Sequence, residues 1–251
     1  EFLQSRLDTN YDTKLEKEVL KEFIESKKYK EITTKLKDNN YTFSIPRKKE
    51  INKNHTNKKR VVYSYKFNEM IILKYIAYNL YKYDYLFQSN LYSFRKNISV
   101  KQALDKLSRK RNLKNMYGYK VDIKNYFNSV DISIIINNLK EDIKDQELLN
   151  IIISILTNKK VSIDNTIIEE DKGIMAGIPL SAFLANYFIK DIDEYFKKEK
   201  VLYLRYSDDI IIFTNTKEDQ IKYSKKLHEL FFTFLKKVAR FLLLNWGICI
   251  L

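Results

Sequence analysis

Residues 201–213 read VLYLRYSDDIIIF. Two β-forming runs, Val201 to Tyr206 and Ile210 to Phe213, flank the adjacent acids Asp208 and Asp209, so the segment is expected to be a hairpin. Its turn then holds two like charges and no glycine, whereas two-residue hairpin turns favour Asn-Gly or Asp-Gly. Paired carboxylates between buried strands call for a counter-ion. Mg²⁺ fits, because it takes carboxylate oxygens together with waters and substrate phosphates.

Working outward, GYKVDIKNYFNSVD (118–131) places a third acid, Asp122, inside the short apolar strand Tyr119 to Ile123. Aspartate is depleted in strands and costly to desolvate. Alone, Asp122 reads as an ordinary strand-end or turn residue. Between these two segments lies GIMAGIPLSAFLANYFIKDID (173–193), a loop with Gly173 and Gly177 that runs into a helix for which Ser181 is the expected N-cap. Glycines let a backbone approach a substrate closely. The order of acid strand, glycine loop with helix, and paired-acid hairpin is far more specific than any one of the three. Three carboxylates and two Mg²⁺ leave a net positive site that attracts a triphosphate, which is the arrangement of two-metal nucleotidyl transfer.

Composition agrees with a polyanionic partner. The 251 residues carry 46 Lys+Arg against 32 Asp+Glu, a formal charge of +14, which favours nucleic acid over acidic proteins or neutral small molecules. A hydrophobic fraction of 45% is too high for disorder. One cysteine, Cys249, and two histidines, His55 and His228, exclude thiol chemistry, His-based triads and Cys/His metal sites. The chain opens EFLQSRLD without a basic n-region or apolar run, so no signal peptide is read and a cytoplasmic setting is expected. The apolar stretch Phe231 to Leu251 contains Lys236, Lys237 and Arg240, each costing roughly 3 kcal/mol to insert, so no membrane span is expected. A first residue other than Met and an end in mid-pattern read as a fragment.

With 4 Gly and 2 Pro there are few breakers. Residues 12 to 38 read as a charged amphipathic helix, YTFSIPRK (41–48) and KRVVYSYK (59–66) as two strands around a polar tip, and 67 to 87 and 99 to 113 as helices. Between Arg47 and Lys66 eight cations face one acid, Glu50, and between Lys101 and Lys120 seven face Asp105. Such runs are usually solvated faces. Here Tyr and Phe are interleaved, the mixture a backbone-tracking, base-stacking groove needs.

VDIKNYF (121–127), GIMAGIPLSAFLAN (173–186) and YSDD (206–209) together resemble the palm motifs of bacterial reverse transcriptases, a group that includes group II intron, retron and defence-associated enzymes. LYSFRKNISVKQAL (91–104) is similar to the fingers motif that precedes the first palm strand. The resemblance spans about Ile45 to Phe213. It implies an α+β right-hand polymerase fold, an antiparallel palm sheet with mainly helical fingers, divided as an N-terminal helical segment (1–40), fingers (41–118), a palm with inserted fingers helices near 132–172 (119–215), and a palm helix with tail (216–251). One helix, about Lys217 to Val238, is legible after Phe213, so the thumb is expected to be missing or truncated.

The resemblance further implies that Asp122, Asp208 and Asp209 are catalytic and, with the Ile123 position, hold two Mg²⁺, for which Mn²⁺ can substitute. Phe127 matches the side chain under the sugar that excludes a 2′-hydroxyl. Lys59, Arg60, Ala176 and Gly177 are expected at the incoming nucleotide, and Arg95, Lys96, Arg109, Lys110, Arg111, Ser181 and Tyr206 on nucleic acid. Implied partners are an RNA template, a DNA or RNA primer, dNTPs, and a structured non-coding RNA or accessory defence protein. The chain departs from the pattern where Glu69 and Met70 stand at an expected basic position, where Met175 and Ala176 replace Pro-Gln, and where Ala182 replaces a proline. The Gly-Ile-Pro-x-Ser form of the loop leans toward the defence-associated enzymes. The activity implied is RNA-directed DNA synthesis. An RNA-dependent RNA polymerase, a template-independent nucleotide adder, and a non-catalytic nucleic-acid-binding domain on a palm scaffold are the alternatives.

Overall fold

The structure, a computed structural model, describes residues 2–8, 13–38, 40–52, 59–123 and 125–234. The centre of the fingers tip with His55, and the tail with Cys249 that bears on the expected thumb and on the helix end at Val238, lie outside the described residues.

Helices α1 (Phe2–Leu7), α2 (Lys14–Glu25) and α3 (Lys28–Lys37) open the chain. The single helix expected over 12 to 38 is broken, because Lys27 takes a left-handed φ of 54°, a conformation a right-handed helix cannot absorb. A capping box starts α2, in which Thr13 N–H donates to Glu16 Oε2 at 2.8 Å and the Thr13 hydroxyl accepts from Glu16 N–H. Strands β1 (Arg47–Asn52) and β2 (Lys59–Ser64) pair antiparallel from Arg47↔Ser64 to Asn52↔Lys59. β2 lies where expected, whereas β1 starts only at Arg47, after Pro46, whose missing N–H cannot join a ladder, and runs on into the expected polar tip. Helix α4 (Phe67–Leu80) buries Ile72, Leu73, Ile76 and Leu80, then tightens into a 3₁₀ turn at Tyr81–Leu86. Ser99 caps α5 (Val100–Ser108), which ends well before residue 113.

β3 (Tyr117–Asp122) leads through α6 (Tyr126–Ser129) to α7 (Ile132–Asp142) and α8 (Gln146–Thr157). The stretch near 132–172, expected as helices, also contains strands β4 (Lys160–Ile163) and β5 (Thr166–Glu169). Asp164 and Asn165, both at positive φ, turn this hairpin, the chemistry of a type I′ turn. β4 joins β1 in parallel through Arg47↔Ser162, giving the sheet order β2-β1-β4-β5. The fingers therefore contain a four-stranded sheet beside their helices.

α9 (Leu180–Phe188), α10 (Lys190–Lys198), β6 (Leu202–Tyr206), β7 (Asp209–Thr214) and α11 (Lys217–Phe234) complete the described chain. β3, β7 and β6 form the expected antiparallel palm sheet in the order β3-β7-β6. Alternation decides its two faces. Tyr119, Val121, Tyr203, Ile210 and Ile212 enter the main core with α9 and α10, whereas Leu204 and Phe213 pack on Tyr92 under the 91–116 segment. α9 is buried almost all round, as expected of a helix apolar on every face. His228 on α11 lies against the sheet, its Nε2 2.7 Å from Tyr119 Oη. Among the described residues no helix is long and apolar enough to cross a membrane.

Candidate active site

The palm hairpin closes on the pair Tyr206↔Asp209. Its two-residue turn is Ser207-Asp208, with Ser207 at φ 59° in a position that usually takes glycine. The expectation that both acids occupy the turn is therefore corrected, since Asp209 is the first residue of β7. That shift brings Asp209 directly across the sheet from Asp122. Opposed residues of an antiparallel pair hold their Cβ atoms about 5 Å apart, and like charges there repel. Asp208 is half-buried at the adjoining turn. Burial first, and then the charges of Asp122 and Asp209, hold its carboxyl above the usual carboxylate range. Lys120 places a cation here, with Nζ 2.9 Å from Asp209 Oδ1, and this contact raises the pKa of its ammonium.

Three hard oxygen donors, whose mutual repulsion the exposed Lys120 relieves only at Asp209, fit a divalent cation that prefers carboxylates. Among the described residues no three His, Cys, Asp or Glu side chains close on one point as a metal cage. An open arrangement suits an ion that keeps waters and takes phosphates as ligands.

The glycine loop packs on α6, which follows the Asp122 strand. Gly173 has φ 54°, and a Cβ there would stand 2.5 Å from Phe127 O and 2.6 Å from Asn128 C, so only glycine lets the loop pass. Ile174 N–H donates to Phe127 O at 2.8 Å. Asn128 then ties three segments with one amide. Its Nδ2 donates to Val61 O on β2 at 3.3 Å, and its Oδ1 accepts from Ala176 N–H at 3.0 Å. Ala176 O in turn accepts from Tyr63 N–H at 2.7 Å. Phe127, half-buried beside these bonds, is held between strand, loop and fingers hairpin.

A family model described as "Reverse transcriptase (RNA-dependent DNA polymerase)" matches residues 45–246. The chain belongs to the reverse transcriptase family. Solved structures agree on the fold. Apo telomerase from Candida tropicalis, truncated from its C-terminal domain, superposes with a TM-score of 0.55 at 17% identity, covering 74% of this chain and 46% of that one. Telomerase from Candida albicans, in complex with a TWJ fragment of telomeric RNA, gives 0.57 at 12% identity, covering 74% and 40%. The chain thus spans less than half the length of these telomerases. The curated proteins contain no match.

In this reverse transcriptase fold the predicted residues divide by exposure. Asp122, Arg60, Lys96, Arg109, Lys110, Arg111 and Gly177 are exposed. Lys59 is exposed and pairs with Glu50 at 2.9 Å, a surface contact worth little. Ile123 is buried, and both backbone groups of Ala176 are engaged as described. Two positions expected on nucleic acid are internal instead. The Arg95 guanidinium forks onto Asp84, with Nε 3.0 Å from Oδ1 and Nη2 2.8 Å from Oδ2, and its side chain is 8% exposed. Ser181 is buried, and its hydroxyl donates to Ile174 O and Met175 O. It is not the helix cap either, because α9 starts at Leu180 after Pro179, and the hydroxyl clamps the preceding loop.

Other residues escaped the sequence reading. Glu69, at the departed basic position, is buried and accepts from the Ser44 N–H and hydroxyl, anchoring the entry to β1. Glu170 accepts from Lys48 Nζ and from Tyr63 Oη, joining β1 and β2 to the start of the loop. Lys172 is buried with Nζ 3.0 Å from Lys160 O, and burial pulls its pKa down to about 8. Phe94 is 43% exposed at φ 52°, its ring 6.3 Å from that of Tyr206. A bulky side chain left in the left-handed region at the mouth of a site signals imposed strain.

Proposed function

We propose that the chain catalyses RNA-templated DNA synthesis, extending a DNA or RNA primer with dNTPs. One observation carries the reading. The palm register sets Asp122 opposite Asp209 with Asp208 at the adjoining turn, three carboxylates that only a multivalent cation neutralises well. Two Mg²⁺, or Mn²⁺ in their place, would be held by these side chains and the Ile123 carbonyl, and would supply activation of the primer hydroxyl and stabilisation of the leaving pyrophosphate. Phe127 supports the sugar face and disfavours a 2′-hydroxyl. Lys59 and Arg60, exposed at the start of β2, draw the triphosphate toward the site, and the exposed run Arg109 to Arg111 follows the nucleic-acid backbone.

On the Gly177-Ile178-Pro179-Leu180-Ser181 form of the loop we further propose a bacterial, defence-associated enzyme. It works in the cytoplasm with a structured RNA or an accessory defence protein.

The test is extension of a primed RNA by the 251-residue chain, with dNTPs or NTPs, with Mg²⁺ or EDTA. Metal-dependent addition of dNTPs in preference to NTPs is expected. NTP preference would make it an RNA polymerase, template-independent addition a nucleotide adder, and RNA binding without any addition a binding scaffold.

A further inference from the structure

Beneath the acidic turn lies a polar network sealed from solvent. Asp193 on α10, Arg205 on β6, Asn186 on α9 and Ser93 are each 0% exposed. Arg205 Nε donates to Asp193 Oδ1 at 2.7 Å, and Nη2 reaches both Asp193 Oδ2 and, at 3.0 Å, Asn186 O. The remaining arm, Nη1, donates to Ser207 O at 3.2 Å. Asn186 Nδ2 donates to Ser93 O at 2.7 Å and its Oδ1 accepts from Ser93 Oγ at 3.0 Å. The same Ser93 Oγ accepts from Ser207 N–H at 2.7 Å.

Both backbone polar groups of Ser207 are therefore gripped by buried side chains from different elements. This is the residue at φ 59° that turns the chain into Asp208. Left-handed backbone is unfavourable for a residue with a Cβ, and such conformations persist only where the surroundings over-determine them. The network supplies that constraint at a position where hairpins ordinarily use glycine. A buried ion pair is poor evidence of added stability, since apolar replacements often do as well. Its meaning here is geometric.

We propose that the Asp193–Arg205 pair, with Asn186 and Ser93, is a positioning device for the metal-ligating turn. By holding the N–H and C=O of Ser207 it sets the direction in which Asp208 is presented beside Asp122 and Asp209. The inference rests on the polymerase reading of those three acids. Arg205, Asn186 and Ser93 act through Ser207 and touch no substrate.

Two substitutions separate position from stability. Ser93→Ala removes the acceptor for Ser207 N–H. Tyr203→Phe removes the hydrogen bond from Tyr203 Oη to Asp193 Oδ1, 2.8 Å, within the same network but off the turn. Three quantities are measured on the full chain: Tm without metal, the Mn²⁺ midpoint from titration without nucleotide, and kcat for dNTP addition. Both variants are expected to lose a few degrees of Tm. Only Ser93→Ala should raise the Mn²⁺ midpoint, by about 10-fold, the scale seen when a group orienting a metal ligand is lost. Its kcat should fall with it, and Ser93→Thr should restore both. Should Ser93→Ala not fold, Ser93→Cys, with a weaker acceptor of similar size, carries the same comparison. If wild type binds Mn²⁺ and extends while Ser93→Ala matches Tyr203→Phe in midpoint and kcat, the positioning inference is overturned. If wild type neither binds Mn²⁺ nor extends, the polymerase reading fails first and takes the inference with it.

Discussion

Asp208 concentrates the electrostatics of the candidate site in one side chain. Its carboxyl sits above the ordinary range because of burial and two neighbouring acids. The folded state therefore binds its proton more tightly than the unfolded chain does. Metal-free stability from this group is present at low pH and lost as pH rises through the folded pKa. Asp208→Asn should raise metal-free stability above that window, because it removes a half-buried charge and its repulsion with Asp122 and Asp209. On the two-metal proposal, the same substitution should cut dNTP addition by more than about 100-fold, because loss of a ligand would cost more than loss of a group that orients one. Unfolding at pH 7.5 in EDTA and single-turnover extension check the two halves. Phe127 gives a second residue-level test. Phe127→Val should raise the ribonucleotide-to-deoxyribonucleotide efficiency ratio by about 10-fold or more, at a cost of about 1–2 kcal/mol for a half-buried ring. An unchanged ratio in competition assays would make it a core aromatic only.

At the level of elements, the site depends on keeping β2, α6 and the 173–178 loop in one relation, and the Asn128 amide does this with a donor and an acceptor. Asn128→Asp keeps the acceptor for Ala176 N–H and turns a carboxylate on Val61 O. The expected loss is about 1–3 kcal/mol, with a higher KM for dNTP as the loop shifts against Tyr63. Protonating the new carboxyl returns a donor, so the deficit should shrink from pH 7.5 to pH 5. Denaturant unfolding at the two pH values checks this, and a deficit independent of pH would show that Val61 O is not the partner that matters.

Across the whole molecule, the proposed affinity for nucleic acid follows from charge. Exposed Arg60, Lys96, Arg109, Lys110 and Arg111 can each neutralise a phosphate, releasing roughly 0.7–0.9 counterions apiece. Binding to a primed RNA should weaken with salt with a log-log slope steeper than about −3. Replacing Arg109 and Arg111 by Ala should flatten it by about 1–2, with slight sequence preference throughout. Titration by fluorescence anisotropy from low to moderate salt checks both, and a shallow slope would return these runs to plain solvated faces.

The amino-acid sequence was sufficient for the palm hairpin, the Asp122 strand, the glycine loop and the family, because period-2 alternation and acids in apolar strands are local signals. It also carried the net charge of +14, which composition alone determines. Long-range register was out of its reach. That Asp209 belongs to β7 and faces Asp122 depends on how β3 pairs with β7, and a one-residue slip would reverse every side chain. The β4-β5 hairpin was hidden among apolar helices because a four-residue strand has too few residues to show its period. Arg95 and Ser181 read as contacts for nucleic acid because a motif names residue types. Which way each points was decided by Asp84 and by the carbonyls of the 174–175 loop. The grip on Ser207 comes from Ser93, Asn186, Asp193 and Arg205, residues up to 114 positions apart from it or from one another in the chain. Their convergence is a product of packing, and only the tertiary structure contains it.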